Sequence, residues 1–283
     1  MPQSPVDDAT IAFACRLADA AGAVIRPFFR RRIEVIDKGA KEVTSPALRP
    51  DFFEGEAFDP VTAADRGAEE AIRAMVERER PDDGVLGEEY GERPGRNGLR
   101  WVVDPLDGTR AFVTGRHEWG SLIALERDGV PVLGILDQPV LGERFLAANG
   151  RTELHTPGGA VDPLRTRACA TLGEAVFCAT HPVAYFNPAE RAQIERILPQ
   201  VRMTRWGGDC YIFATLAMGF CDLIAESSLH RWDVAALIPL IEGAGGVITD
   251  WSGGPCHDGG QVLAAGDARV HAAALRVLSA TSS

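Results

Sequence analysis

Residues 101–109 read Trp-Val-Val-Asp-Pro-Leu-Asp-Gly-Thr. An apolar, β-branched run reads as a strand, but it ends in two carboxylates, Asp104 and Asp107, with a proline, a glycine and a hydroxyl packed among them. Pro105 is expected to stop sheet pairing and stiffen the chain. Gly108 permits a tight turn and the close approach of a ligand. Two acids at one strand end repel each other unless a positive charge sits between them. The run therefore reads as a bent loop presenting two carboxylates, a main-chain carbonyl and the Thr109 hydroxyl to one point. Hard oxygen donors gathered in this way suit Mg²⁺ or Mn²⁺.

The chain has 283 residues, enough for a large core and two domains. Lys and Arg number 29 against 40 Asp and Glu, a net charge of -11. That balance argues against nucleic-acid binding, which needs a basic surface. An anionic substrate stays open, because bound cations invert the local field. The six cysteines form no C-x-x-C pair and mostly lie in apolar stretches. They read as buried free thiols, the pattern of a reducing cytoplasm. The first residues have neither a basic flank nor an apolar core of the secretory kind, and no apolar run reaches membrane-spanning length, so no membrane partner is expected.

Periodicity predicts a helix from Asp7 or Asp8 to about Arg31, with Ile11, Cys15, Ala18, Gly22, Ile25 and Phe29 on one face. A strand is expected at 33–36, a long exposed loop over 39–58, and a helix from Thr62. Strands follow at 84–87 and 99–103. Two hairpins are read at Arg127-Asp128-Gly129 and Asn149-Gly150, joining strands 121–125 with 130–136 and 144–148 with 151–155. Antiparallel pairing is therefore expected in the first half. The second half alternates: strand 175–179, helix 188–198, helix 209–219, strand 221–225, helix 232–243, strands 247–249 and 262–265, and helix 268–279. Alternation of this kind predicts an α/β layering. A boundary near 158–163 divides the chain into 1–157 and 158–283.

Acidic residues recur at four places: Asp59 and Asp65, Glu88 and Glu89, Asp104 and Asp107, and Asp233 after Trp232. Several also have a plainer reading. Asp59 serves as a cap or turn residue, and Asp65 and Asp233 as first-turn acids favoured by the helix dipole. Glu89 reads as solvated, since neighbours on an extended segment point apart. Asp209, after Gly207-Gly208, reads equally as a helix N-cap.

Taken together, Asp104-Pro-Leu-Asp-Gly-Thr109, Gly87-Glu88-Glu89, Trp232-Asp233 with Glu242-Gly-Ala-Gly-Gly246, and Asp59-Pro-Val-Thr62 with Asp65 resemble the inositol monophosphatase superfamily from about residue 10 to 270. Asp137-Gln-Pro-Val-Leu-Gly-Glu-Arg144 and Trp206-Gly-Gly-Asp-Cys-Tyr211 resemble its histidinol-phosphate phosphatase branch. The resemblance implies an α+β / α/β fold, layered αβαβα, with the active site where two sheet-containing subdomains meet. The first subdomain would carry most metal ligands, and the second would supply Asp233 and the substrate contacts.

The same resemblance implies a metal-assisted phosphomonoesterase with two or three Mg²⁺, Mn²⁺ being an alternative. Glu88, Asp104 and the Leu106 carbonyl would hold one ion, and Asp104, Asp107 and Asp233 another. Thr109, hydrogen-bonded to Asp65, would orient the attacking water. The amides of Gly108 and Thr109 would hold phosphate oxygens. Arg110, Asp209 and Glu226 would face the organic part of a small phosphorylated substrate; Asp209 could meet an amine there, whereas Glu226, which an inositol phosphatase would turn to ring hydroxyls, does not discriminate. A homodimer is implied as well. The lysine expected just before the Pro-Val-Thr segment has two candidates, Lys38 and Lys41, and 42–58 looks like an insertion. Inositol monophosphate or another sugar phosphate is the alternative substrate. A metal-binding regulator without catalysis is the more distant alternative.

Overall fold

A computed structural model describes residues 5–31 and 63–279. The expectations for 33–36, 39–58, Asp59–Thr62, Lys38 and Lys41 lie outside those residues.

Helix α1 (Asp8–Ile25) opens on Asp7, whose carboxylate accepts the Thr10 amide at 2.7 Å. It stops six residues earlier than the periodicity predicts, in a single tighter turn at Arg26–Phe28. Pro27 accounts for this, because it lacks the amide that would continue the ladder. The buried face is also wider than expected and adds Phe13, Ala14, Leu17 and Ala21. Helix α2 (Ala63–Glu79) packs beside α1.

Both helices cover one face of an eight-stranded sheet. Its strands are β1 (Gly84–Gly87), β2 (Gly91–Arg93), β3 (Leu99–Asp107), β4 (Gly120–Arg127), β5 (Val130–Gln138), β6 (Glu143–Ala148), β7 (Arg151–His155) and β8 (Val161–Pro163), in the order β2-β1-β3-β4-β5-β6-β7-β8. Only the β1–β3 pair is parallel. The two expected hairpins form. Their central residues Asp128, Gly129, Asn149 and Gly150 all have positive φ, as a two-residue turn matching the strand twist requires. One expectation is corrected: Pro105 does not end β3. Pairing with β4 slips between Asp104 and Asp107 and resumes at Asp107, opposite Gly120. The proline thus sits in an irregularity where no ladder amide is missed.

The second sheet contains β9 (Val176–Ala179), β10 (Met203–Trp206), β11 (Leu223–Leu229), β12 (Val247–Thr249) and β13 (Gly260–Ala265), ordered β10-β9-β11-β13-β12. Helices α4 (Pro188–Ile197) and α8 (Ala268–Ser279) pack on its outer face, where Ile194, Ala274 and Leu278 join Phe177 and Leu263. Between the sheets lie α5 (Tyr211–Ala217) and α7 (Leu237–Gly243). There Phe213, Leu216, Leu240 and Ile241 form one core with Val102, Leu122 and Phe145 on one side and Ile224 and Val262 on the other. The layers therefore run αβαβα.

The single helix read over 232–243 is in fact two, the one-turn α6 (Arg231–Val234) and α7. Pro239 explains the break, because it has no amide to offer the carbonyl of Ala235. The middle layer touches the first sheet closely. A methyl on Gly134 of β5 would lie 2.1 Å from the Ala236 carbonyl oxygen.

Candidate active site

Glu88 follows β1 directly. Gly87 gives the Glu69 carboxylate room, since a Cβ would fall 2.2 Å from one of its oxygens and displace it. Glu69 is fully buried and accepts the amides of Glu89 and Tyr90, which holds the turn that carries Glu88. Glu89 is not solvated. Its carboxylate pairs with Arg66 at 3.0 Å and is almost wholly covered.

Asp104 lies at the slip in β3, is buried, and accepts the Leu106 amide at 3.0 Å. Asp107 ends β3 and accepts the amide of Cys210 at 2.8 Å. Gly108 follows at φ 83°, and a Cβ there would press on Glu118 and Trp119 at 2.9–3.0 Å. Thr109 opens the short helix α3 (Thr109–Val113). Its hydroxyl donates to the Leu106 carbonyl at 3.0 Å rather than to Asp65 as expected. Asp65, in the first turn of α2, is buried behind this loop. It lies close enough to raise the pKa of Asp104, but off the cleft wall. Asp233 sits in the single turn of α6, where its carboxylate accepts the His230 amide at 2.7 Å.

Glu88, Asp104 and Asp233 bring one carboxylate oxygen each to within 4.8 Å of one another. Asp107 is not in that group, although it stands near enough to be repelled by Asp233. Burial and this crowding favour the protonated acids. Asp104 is raised well above the carboxylate range, chiefly by burial and then by Glu88. Glu88, which opens onto the cleft but is surrounded by protein, is pushed up to about 8 by burial, then by Asp233 and Asp107. Asp107 is pushed up to about 6 by burial and Asp233, against its bond to Cys210. No ion pair among the described residues reaches Glu88, Asp104 or Asp107, and Asp233 has the His230 ring at 3.6 Å. Converging hard oxygens, repelling one another with no matching cation of their own, fit a divalent metal.

The cleft has a volume of about 720 Å³ and is lined by Glu88, Asp104, Leu106, Asp107, Gly108, Thr109, Arg110, Asp209, Glu226 and Asp233. Every expected site residue but Asp65 thus faces one cavity. Asp209 does not cap a helix: α5 begins at Tyr211, with Cys210 as its N-cap. Asp209 instead takes φ 42° after Gly207 and Gly208, both at positive φ, and turns toward the cleft. Burial, then Asp107, pushes its carboxyl up to about 7. Glu226 on β11 is buried and accepts the Thr180 amide at 2.6 Å. Burial pushes it up to about 8.

Tyr185, Thr180 and Ser227 also line the cleft and went unread in the sequence. Arg110 donates to the Tyr185 hydroxyl and lies 5.2 Å from the centre of its ring. Tyr185 sits in a loop without periodicity, so no local pattern marks it. The Ser227 hydroxyl donates to Glu190, which belongs to the capping box of α4, a signal the sequence did carry at Asn187.

With the acid cluster and its cavity in place, the sequence match is decisive: the inositol monophosphatase family covers residues 7–282. The chain belongs to that family. A bifunctional phosphatase of Arabidopsis thaliana, "IMPL2, chloroplastic", is 39% identical over 274 residues, 93% of this chain and 72% of that one. A histidinol-phosphatase of Chlorobaculum parvum is 34% identical over 241 residues, 85% of each chain. Among solved structures, an inositol monophosphatase from Zymomonas mobilis superposes with a TM-score of 0.80 at 39% identity, covering 96% of this chain and 98% of that one. This inositol monophosphatase family member is a phosphoric monoester hydrolase. Its family is generally metal-dependent, and the Glu88–Asp104–Asp233 cluster suits that requirement.

Proposed function

We propose that the chain hydrolyses histidinol phosphate to histidinol and phosphate in histidine biosynthesis. One observation carries the choice of substrate. In the cleft two carboxylates, Asp209 and Glu226, are held in partly dehydrated positions with Arg110 as the nearby cation. A phosphate ester with an amine and an imidazole supplies the positive charge that this pair lacks, and a neutral polyol does not. The histidinol-phosphatase names among the relatives support the same reading.

Glu88, Asp104 and Asp233, with Asp107 and the Leu106 carbonyl beside them, would hold the metal, for which Mg²⁺ fits the all-oxygen donor set and Mn²⁺ is the substitute. Divalent ions there would supply charge to the phosphoryl and leaving oxygens and acidify water. Thr109, fixed by its bond to Leu106, would orient the attacking water, with Asp65 behind it. Gly108, Thr109 and Arg110 would frame the phosphate. A homodimer follows from the family resemblance, and the free cysteines suit a cytoplasmic setting.

Phosphate release by the purified chain with Mg²⁺ is the test. Histidinol phosphate should turn over with much the higher kcat/KM. Activity on inositol monophosphate with none on histidinol phosphate would replace this reading by the second one, which the 39% identity to the Zymomonas mobilis inositol monophosphatase supports. Asp104→Asn should abolish release from every ester while leaving the chain folded, because it removes both a ligand charge and a source of repulsion. Near-normal turnover in that variant would remove Asp104 from the site.

A further inference from the structure

Glu126 of β4 is fully buried, yet it carries a carboxylate. It stands opposite Arg100 in the β3–β4 register. One of its oxygens accepts from Arg100 twice, at 2.9 and 2.7 Å. The other accepts from Arg231 at 2.7 Å. The remaining arm of Arg231 is held by the carboxylate of Asp258. The Glu126–Arg231 bond joins residues 105 apart in sequence, running from the first sheet to the chain beyond β11.

Arg231 is the first residue of α6, and Asp233 is its third. A four-residue helix cannot fix its own position, because a single turn forms unfavourably in isolation. Its placement has to be imposed from outside. A guanidinium gripped by a carboxylate on each side is directional in a way that apolar packing is not. Glu126 lies in the sheet that also carries Glu88 and Asp104. We infer that the Glu126–Arg231 pair is a positioning device: it braces α6 against the first sheet, sets the Asp233 carboxylate at the right distance from Glu88 and Asp104, and thereby fixes the affinity for a divalent cation. Neither residue lines the cleft, so both act through Asp233. The inference rests on the reading of Glu88, Asp104 and Asp233 as cation ligands.

Mn²⁺ binding to the full chain, measured by calorimetry and by the electron paramagnetic resonance of free Mn²⁺, tests it. Arg231→Met should weaken binding on the order of tenfold, the usual consequence of losing a group that orients a ligand, and Arg231→Lys should recover part of the loss. Arg100→Met removes a partner of the same carboxylate within the first sheet only. It should lower the melting temperature while leaving Mn²⁺ affinity at the wild-type value, whereas a merely structural role for the cluster would make Arg100→Met and Arg231→Met change affinity alike. Wild-type affinity in Arg231→Met overturns the inference, whatever happens to its stability. Should Arg231→Met fail to fold, Glu126→Gln keeps the shape of the side chain but removes the charge that grips Arg231 and is expected to weaken Mn²⁺ binding several-fold, and unchanged affinity there overturns the inference equally. Asp233→Asn separates the two levels. If it binds Mn²⁺ as tightly as wild type, or wild type binds none, the ligand reading itself fails and the brace falls with it.

Discussion

At the scale of single residues, Glu226 carries the clearest prediction. Its carboxyl is lifted by burial from an ordinary 4.5 to about 8. The folded state therefore keeps a proton that the unfolded chain loses first, so this group's share of stability is present at low pH and is lost as pH rises through about 8. Glu226→Gln, which can still accept the Thr180 amide, should flatten the fall in melting temperature between pH 5 and 9. It should also raise KM for a cationic ester with little change in kcat. An unaltered KM would exclude Glu226 from substrate binding. Asp104 and Asp107 were legible because their chemistry is local: acids, glycine and proline in one short run have few other uses, whereas Asp233 by itself read equally as a first-turn acid. Arg231 and Glu126 were not legible, because their meaning arises only when positions 105 apart meet. Gly87 was read as part of a motif, but its reason, the crowding carboxylate of Glu69, is a tertiary fact.

At the scale of elements, Gly134 marks where β5 meets the middle helices. The neighbour that an added methyl would strike is a backbone carbonyl, which cannot swing aside. Gly134→Ala should lower stability by about 1–3 kcal/mol, as overpacking does. A urea unfolding midpoint equal to wild type would mean that the α6–α7 segment gives way freely at that contact. Most elements were foreseen from their boundaries. Asp-Gly and Asn-Gly dictate their hairpins, since both positions need positive φ. Three departures turn on prolines, of which only Pro105 was weighed in the sequence. Pro105 sits inside a strand because the ladder slips there, Pro27 ends α1 early, and Pro239 cuts one helix into two. Edge strands β2 and β8, three residues each, are too short for any alternation to show.

At the scale of the whole molecule, the acid cluster should make stability depend on metal and pH together. Asp104, Glu88 and Asp107 are all raised, so protons compete with cations for the same oxygens. Without metal, the melting temperature should fall as pH rises from 6 to 8.5. Mg²⁺ should reverse that fall, contributing about 2.7 kcal/mol at a hundredfold excess over its Kd, and its effect should shrink toward pH 5.5. Melting curves that coincide with and without Mg²⁺ at every pH would count against cation binding. The five-layer order has another outcome. Helices made by the later part of the chain fill the space beneath a sheet made by the earlier part, while the turn at Gly158 and Gly159 has open space around both residues. A backbone severed at that turn should leave one working particle, whereas the two fragments produced in separate cells should be inert until they are mixed.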